Sequence, residues 1–172
     1  MSYTFQTPRI ATRDDGSHLV TVINRAYVAE SSIVRGERID LSNVVQRIVA
    51  SNTWFLVIEQ NTDHSARQIV ACVCLDCDGH RGHIGLLSVD PDHQGRGLGA
   101  KLLRAAELLC AEKFCCPVIE LEVVSERHDL FPFYAQMGYE RTGVAPFPNE
   151  SLLKKPAHMV VMQKRSSTCI QL

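Results

Sequence analysis

The turn Gln94-Gly95-Arg96-Gly97-Leu98-Gly99 constrains this chain more than any other stretch, because an apolar run ending at Val89 precedes it and a helical run beginning near Leu98 follows it. A strand must therefore give way to a helix within a few residues. The glycines let the backbone turn that tightly and bring successive N–H groups up to an anion with no Cβ in the way. The helix N-terminus adds its partial positive charge. Strand, glycine turn and helix in this order are the parts of a pyrophosphate cradle.

Two other phosphate-binding patterns can be held against the same residues. A dinucleotide fingerprint needs G-x-G-x-x-G with a carboxylate about 20 residues further on, and a nucleoside-triphosphate loop needs G-x-x-x-x-G-K-[ST]. The chain carries neither. Its 172 residues suffice for one domain with a full core and are short for two, so residues 1–165 are expected to form a single domain and 166–172 a disordered tail. With 18 basic and 19 acidic side chains the net charge is −1, which leaves no global field to recruit nucleic acid or an anionic membrane. The N-terminus lacks the layout of a secretory signal, and no apolar run reaches the length of about 18 residues needed for a membrane span. A cytoplasmic or nuclear protein is expected. Seven scattered cysteines fit a reducing compartment and buried thiols better than a disulfide framework.

Phe5 to Ile10 reads as a first strand, followed by a helix opened by Thr12-Arg13-Asp14-Asp15, with Leu19, Val22, Ile23 and Ala26 at helical spacing. A second helix has Asp40 or Ser42 as its cap and Val44, Val45, Ile48 and Val49 as its apolar face. Between them, Ala29 to Ile39 is polar and reads as a mobile substrate loop. Trp54–Glu59 and Gln68–Asp76 read as a hairpin, and His83–Val89 as the strand that enters the glycine turn. Leu98–Phe114 is then a helix with one apolar side, and Val118–Val124 a buried strand. Asp129 is placed to cap a helix that tolerates Pro132 in its first turn and ends at Gly138. Tyr139–Thr142 and His158–Lys164 complete the strands, with Gly143–Pro156 an irregular wall between them.

The stretch His83 to Glu107, HIGLLSVDPDHQGRGLGAKLLRAAE, resembles the acyl-CoA-binding motif of the GNAT superfamily of N-acetyltransferases, whose pattern is Q/R-x-x-G-x-G/A; Gln94, Gly97 and Gly99 fill its fixed positions. The resemblance implies an α/β (α+β) GNAT fold, a mixed twisted β-sheet of about six to seven strands with helices on both faces, in keeping with the element order above. It implies acetyl-CoA as cosubstrate, with its pyrophosphate on the N–H groups of Gln94, Gly95, Arg96, Gly97, Leu98, Gly99 and Ala100, and its pantetheine paired to the backbone at Val89 like an added strand. The guanidinium of Arg96 could reach a phosphate as well.

A second segment, LFPFYAQMGYE, looks like the family's helix signature F-Y-x-x-x-G-F/Y, with Tyr134 at its tyrosine. The resemblance implies that this phenol protonates the departing CoA thiolate. Many members carry an asparagine seven residues earlier, where this chain has Arg127. The reaction also needs a base, because freeing an amine of pKa about 10 at neutral pH costs about 4–5 kcal/mol. His83 falls where histone-type members place a glutamate and arylalkylamine-type members a histidine, and an imidazole titrating near about pH 6.5 suits abstraction or a water relay. Glu120 and Glu122, which share a strand face, are alternatives, and Asp76 a weaker one. The run Cys74-x-x-Cys77-x-x-His80-x-x-His83 holds zinc-ligand residue types, but strand alternation divides them between faces, so no metal is expected. Cys169-Ile170-Gln171-Leu172 has a prenylation outline that Gln171 spoils.

The function implied is transfer of acetyl from acetyl-CoA to a primary amine by direct attack in a ternary complex, most simply on a small molecule. A protein acetyltransferase acting on lysine or an N-terminus is the alternative within enzymes, and a non-catalytic acyl-CoA-binding domain the alternative outside them. A homodimer is compatible with each.

Overall fold

In the computed structural model, which describes residues 5–61 and 67–166, the chain builds a seven-stranded sheet with helices on both faces. The strands are β1 (Arg9–Ile10), β2 (Thr53–Asn61), β3 (Arg67–Cys77), β4 (Arg81–Val89), β5 (Val118–Val124), β6 (Glu140–Ala145) and β7 (Met159–Arg165). The α-helices are α1 (Gly16–Tyr27), α2 (Leu41–Val49), α3 (Leu98–Phe114) and α4 (Leu130–Gln136). The strand order is β1-β2-β3-β4-β5-β7-β6. Every neighbouring pair is antiparallel except β4 and β5, which are parallel and joined through α3.

Alternation along the central strands sends Phe55, Val57, Cys72 and Cys74 to one face, where Leu19, Val22 and Ile23 of α1 and Val44 of α2 cover them. Leu56, Ile58, Val73 and Leu75 point to the other face, under Leu102, Leu103 and Ala106 of α3 and Phe131 and Tyr134 of α4. β2 and β3 are buried along most of their length because both faces are covered. Each fully buried leucine, such as Leu102 and Leu103, contributes about 1.5–3 kcal/mol.

Four sequence expectations change. The first strand shrinks to Arg9–Ile10, with an isolated bridge from Phe5 to Gln60, because Pro8 offers no N–H to a ladder. Asp129 does not cap α4: its carboxylate accepts from the Arg127 guanidinium at 3.0 and 2.8 Å, and its own backbone is helical. Gly143 to Ala145 belong to β6, past a register shift between Arg141 and Gly143, so the irregular wall begins after Ala145. The segment read as a mobile loop is pinned. Ile33 is buried with Phe147 and Met159, Val34 bridges to Leu153, and Arg35 N donates to the Leu152 carbonyl at 2.8 Å. Gly138 ends α4 as expected, at φ +89°. Among the described residues no helix is long and apolar enough to cross a membrane. The hairpin turn at 62–66 and the tail from 167 on, with Cys169, lie outside the described residues.

Candidate active site

The site begins where two parallel strands part. β4 pairs with β5 only from Arg81 to Ile84, opposite Val118 to Leu121. Beyond that point β5 continues along β7 to Val124, while β4 veers off. The cause is a bulge: Cys72 faces Ser88 and Cys74 faces Gly85, so Leu86 and Leu87 together oppose Val73. Leu86 takes φ +50°, a left-handed conformation that costs a non-glycine residue about 1–3 kcal/mol. Such a bulge bends its strand and sharpens the twist. The backbone strain sits at the place where the sheet opens.

The opening is a cleft of about 350 Å³, walled by Leu87 and Val89 of β4, by Glu122, Val123 and Val124 of β5, and by Leu130, Phe133 and Tyr134 of α4. The glycine turn stands at its end through Gln94, Gly95 and Gly99. Gly95 and Gly97 sit at φ +72° and +75°, where a Cβ would meet nothing within 4 Å; backbone conformation, not crowding, demands glycine there. A Cβ on Gly99 would touch Phe133 and Val89 at 3.8 Å, on the cleft floor. Leu98 and Ala100 lie in the first turn of α3, which Gly97 precedes as its N-cap.

Polar contacts fix the turn. Asp90, almost fully buried, accepts from the Asp92 N–H at 3.0 Å, and Arg25 of α1 bridges Asp90 at 3.1 Å and Asp92 at 2.9 Å. The Gln94 carboxamide donates to the Val89 carbonyl at 3.1 Å, so that acceptor is already engaged. Arg96 donates to the Asp92 carbonyl at 3.3 Å, with its guanidinium 5.8 Å from the Phe5 ring centroid.

Tyr134 is buried against Phe133 and Tyr139, with ring centroids 5.1 and 6.1 Å away, and lines the cleft. Burial pushes its phenol well above the ordinary range, so it is fully protonated at neutral pH and available as a donor. Across the cleft Glu30 ends the short helical turn Val28–Glu30. Burial raises its carboxyl, against the pull of Arg38 and Arg127. Arg127, at the position where the family's asparagine is missing, donates to Glu30 at 3.2 Å and grips Asp129 on its other side. That grip is the leading cause of the lowered Asp129 carboxyl.

His83 does not line this cleft. It lies in the paired part of β4, opposite Asp76 on one side and Glu120 on the other, with its ring leaning toward Gly85. Glu120 is held there by Arg81 at 3.0 Å and Gln163 at 2.6 Å, and Asp76 by Arg47 at 3.3 Å. Of the two glutamates read together on β5, only Glu122 reaches the opening. The suspected zinc run scatters: Cys74 faces the α1–α2 core, Cys77 the α3 core, and His80 is exposed. Glu30, Asp90 and Arg25 carried no motif. The one available signal was the acidic end of V-A-E after the first helix.

A second cavity of about 420 Å³ adjoins the first and shares Tyr27, Glu30 and Arg38 with it. Its remaining wall includes Arg25 of α1, together with Arg35, Phe147 and Leu152 from the two loops tied by the Val34–Leu153 bridge. The Arg38 guanidinium stacks 4.7 Å from the Tyr27 ring centroid at the junction.

Residues 51–141 match the family described as acetyltransferase (GNAT) domain. Among solved structures, the chain is similar to the PaiA N-acetyltransferase of Thermoplasma acidophilum in complex with coenzyme A, at 17% identity and TM-score 0.72, over 96% of this chain and 99% of that one. It is similar to YncA of Salmonella typhimurium, solved with its cofactor acetyl-CoA, at 20% identity and TM-score 0.72, over 99% and 97% of the two chains. The ribosomal-protein-alanine N-acetyltransferase of Brucella melitensis aligns at 20% identity and TM-score 0.73, over 93% and 99%.

Proposed function

The chain belongs to the GNAT family of acetyltransferases, and on that premise we propose that it moves acetyl from acetyl-CoA to a primary amine of a small molecule, by direct attack with both substrates bound. The observation that carries this reading is the parting of β4 from β5 directly in front of the glycine turn. A slender amide-bearing arm can add to β4 at Leu87–Val89, taking the second lone pair of the Val89 carbonyl or displacing the Gln94 carboxamide from it, as an extended ligand adds to a sheet. Its pyrophosphate then meets the N–H groups of residues 94–100 at the start of α3. Two structural neighbours were crystallised with coenzyme A or acetyl-CoA, in keeping with acetyl-CoA as the cosubstrate here.

Within this arrangement the chain's groups divide the chemistry. Tyr134, a neutral phenol in the cleft lining, gives its proton to the departing thiolate. Glu30 lines both cavities, and its raised carboxyl is a better match to a proton leaving an amine than an ordinary carboxylate. We therefore assign proton acceptance to Glu30, with Glu122 as the other carboxylate of the cleft lining, and no role to His83, which lines neither cavity. The second cavity takes the acceptor. Its two loops are tied by the Val34–Leu153 bridge and the Arg35–Leu152 hydrogen bond, and they would have to separate for a polypeptide to lie across them. That favours a small amine over a protein.

The test is thiol release from acetyl-CoA against a panel of small amines and amine-bearing peptides, with binding of acetyl-CoA followed separately. Turnover confined to small amines is expected. Turnover confined to peptides would transfer the reading to a protein acetyltransferase, and tight acetyl-CoA binding with no turnover would reduce the chain to an acyl-CoA-binding domain.

A further inference from the structure

One member of the scattered zinc run ends among different sulfurs. Cys77 closes β3, Cys110 stands in the last two turns of α3, and Cys116 follows α3 on the way to β5. All three are buried, and their Sγ atoms lie within 4.8 Å of one another. They come from three separate segments, so local sequence alone does not bring them together. Gly82, which pairs with Cys77 across the β3–β4 ladder, makes the room: a Cβ there would overlap Cys110 Sγ. Cys116 Sγ reaches the Phe114 carbonyl at 3.8 Å.

We propose that Cys77, Cys110 and Cys116 form a three-thiolate site for one soft d¹⁰ cation of the Zn(II) class, at the end of α3 remote from the glycine turn. Thiolates select such ions, and three protein ligands leave the fourth position of the tetrahedron to a water or a small anion. The geometry is close to ready. Three atoms no more than 4.8 Å apart surround a point that lies about 2.8 Å or less from each, and a Zn–S bond of about 2.3 Å then asks each sulfur to move inward by about 0.5 Å at most. As each metal–sulfur bond forms, the thiol gives its proton to solvent; one divalent ion displaces up to three protons and no electron changes hands. The site touches neither the cleft nor the acceptor cavity. Its effect is to tie β3, α3 and the segment after α3 together.

The test titrates the metal-free, fully reduced chain with Cd²⁺, read by the ultraviolet thiolate-to-metal charge-transfer band, and with Zn²⁺ in competition against a chromogenic chelator. Melting temperature is followed in parallel. One ion per chain and a raised melting temperature are expected. Cys110→Ala and Cys116→Ala each remove a ligand and should weaken binding by more than the roughly 100-fold that loss of an outer-shell partner can bring. Cys72→Ala, buried on the opposite face of the sheet, should bind as the unaltered chain does. Absence of the charge-transfer band in the unaltered chain would overturn the proposal, and that measurement needs no variant to fold. So would full affinity in either ligand variant, or formation of a disulfide within the trio on air oxidation with no metal uptake by the reduced chain.

Discussion

Substitution of Gly99 tests the proposed binding role of the glycine turn apart from its role in folding. Unlike Gly95 and Gly97 it is not held at a positive φ, and a Cβ there meets Phe133 and Val89 at an ordinary 3.8 Å. Replacement by alanine is therefore expected to leave the fold intact or to add up to about 1 kcal/mol through helix propensity. Gly99→Glu directs a carboxylate across the same cleft floor. At a distance of about 5 Å, each phosphate charge is repelled by about 0.8 kcal/mol in water and about 3.3 kcal/mol at a surface-like dielectric of about 20. Two phosphates together give at least about 1.6 kcal/mol, a loss of affinity of roughly 15-fold before any steric contribution. The assay is thermal shift with acetyl-CoA backed by calorimetric titration. At 100 times Kd the ligand adds about 2.7 kcal/mol to the unaltered protein, or roughly 5–11 °C at about 2–4 °C per kcal/mol. Gly99→Glu should melt with the unaltered protein in the absence of ligand and lose most of that shift. A variant that folds and binds acetyl-CoA with undiminished affinity would refute the pyrophosphate cradle.

Four further outcomes follow from the same structure. Tyr134→Phe keeps the buried ring and deletes the donor, so kcat should fall roughly 10²–10⁴-fold with acetyl-CoA affinity nearly unchanged; unaltered turnover would leave Tyr134 a packing residue. Because burial raises the Glu30 carboxyl, the acidic limb of kcat/KM should lie above the ordinary carboxylate range of about 4.3. Glu30→Gln should erase that limb and recover toward alkaline pH, where solution frees the amine, and the same behaviour in His83→Gln alone would return the base to His83. Asp15, lowered to about 2 chiefly by its hydrogen bond to Arg9, contributes about 2 kcal/mol of stability that is present above its unfolded value of 3.8 and lost as pH falls through about 2; denaturant melts of Asp15→Asn should show that acid dependence flattened. Gly82→Ala should cost about 1–3 kcal/mol by overpacking Cys110, and Cys110→Ala in the same chain should recover much of it, a coupling that a double-mutant cycle measures.

The elements most legible in the sequence were those whose periodicity is local. Leu98–Phe114 and Val118–Val124 emerge with the expected bounds because one apolar stripe or one β-branched run settles each. The strand, turn and helix around Gly95 and Gly97 were readable for the same reason: their positive φ angles belong to single residues. The opening between β4 and β5 was not. It depends on two residues of one strand facing one residue of another at Leu86, Leu87 and Val73, a relation between distant segments that neither segment displays. Asp129 reads as a cap in sequence because nothing there shows that Arg127 competes with the helix N–H groups for its carboxylate. Glu30 and Arg127 are 97 positions apart, and only the fold makes a charged pair of them.

The gap between β4 and β5 also bears on which backbone edges of the sheet another chain could reach. Unpaired strand edges ordinarily template pairing with another chain, and proteins shorten, charge or cover them. Here the outer edges are a two-residue strand at one side and, at the other, β6 with Glu140 and Arg141 on it. Two further free edges, β4 past Ile84 and β5 past Leu121, are turned inward and face each other. A second polypeptide strand would have to thread between two halves of one sheet to reach them, past Tyr27 and Phe133, whereas a thin ligand meets no such barrier. The strained bulge at Leu86 thus turns these backbone donors and acceptors toward the cleft and away from the outer edges of the sheet.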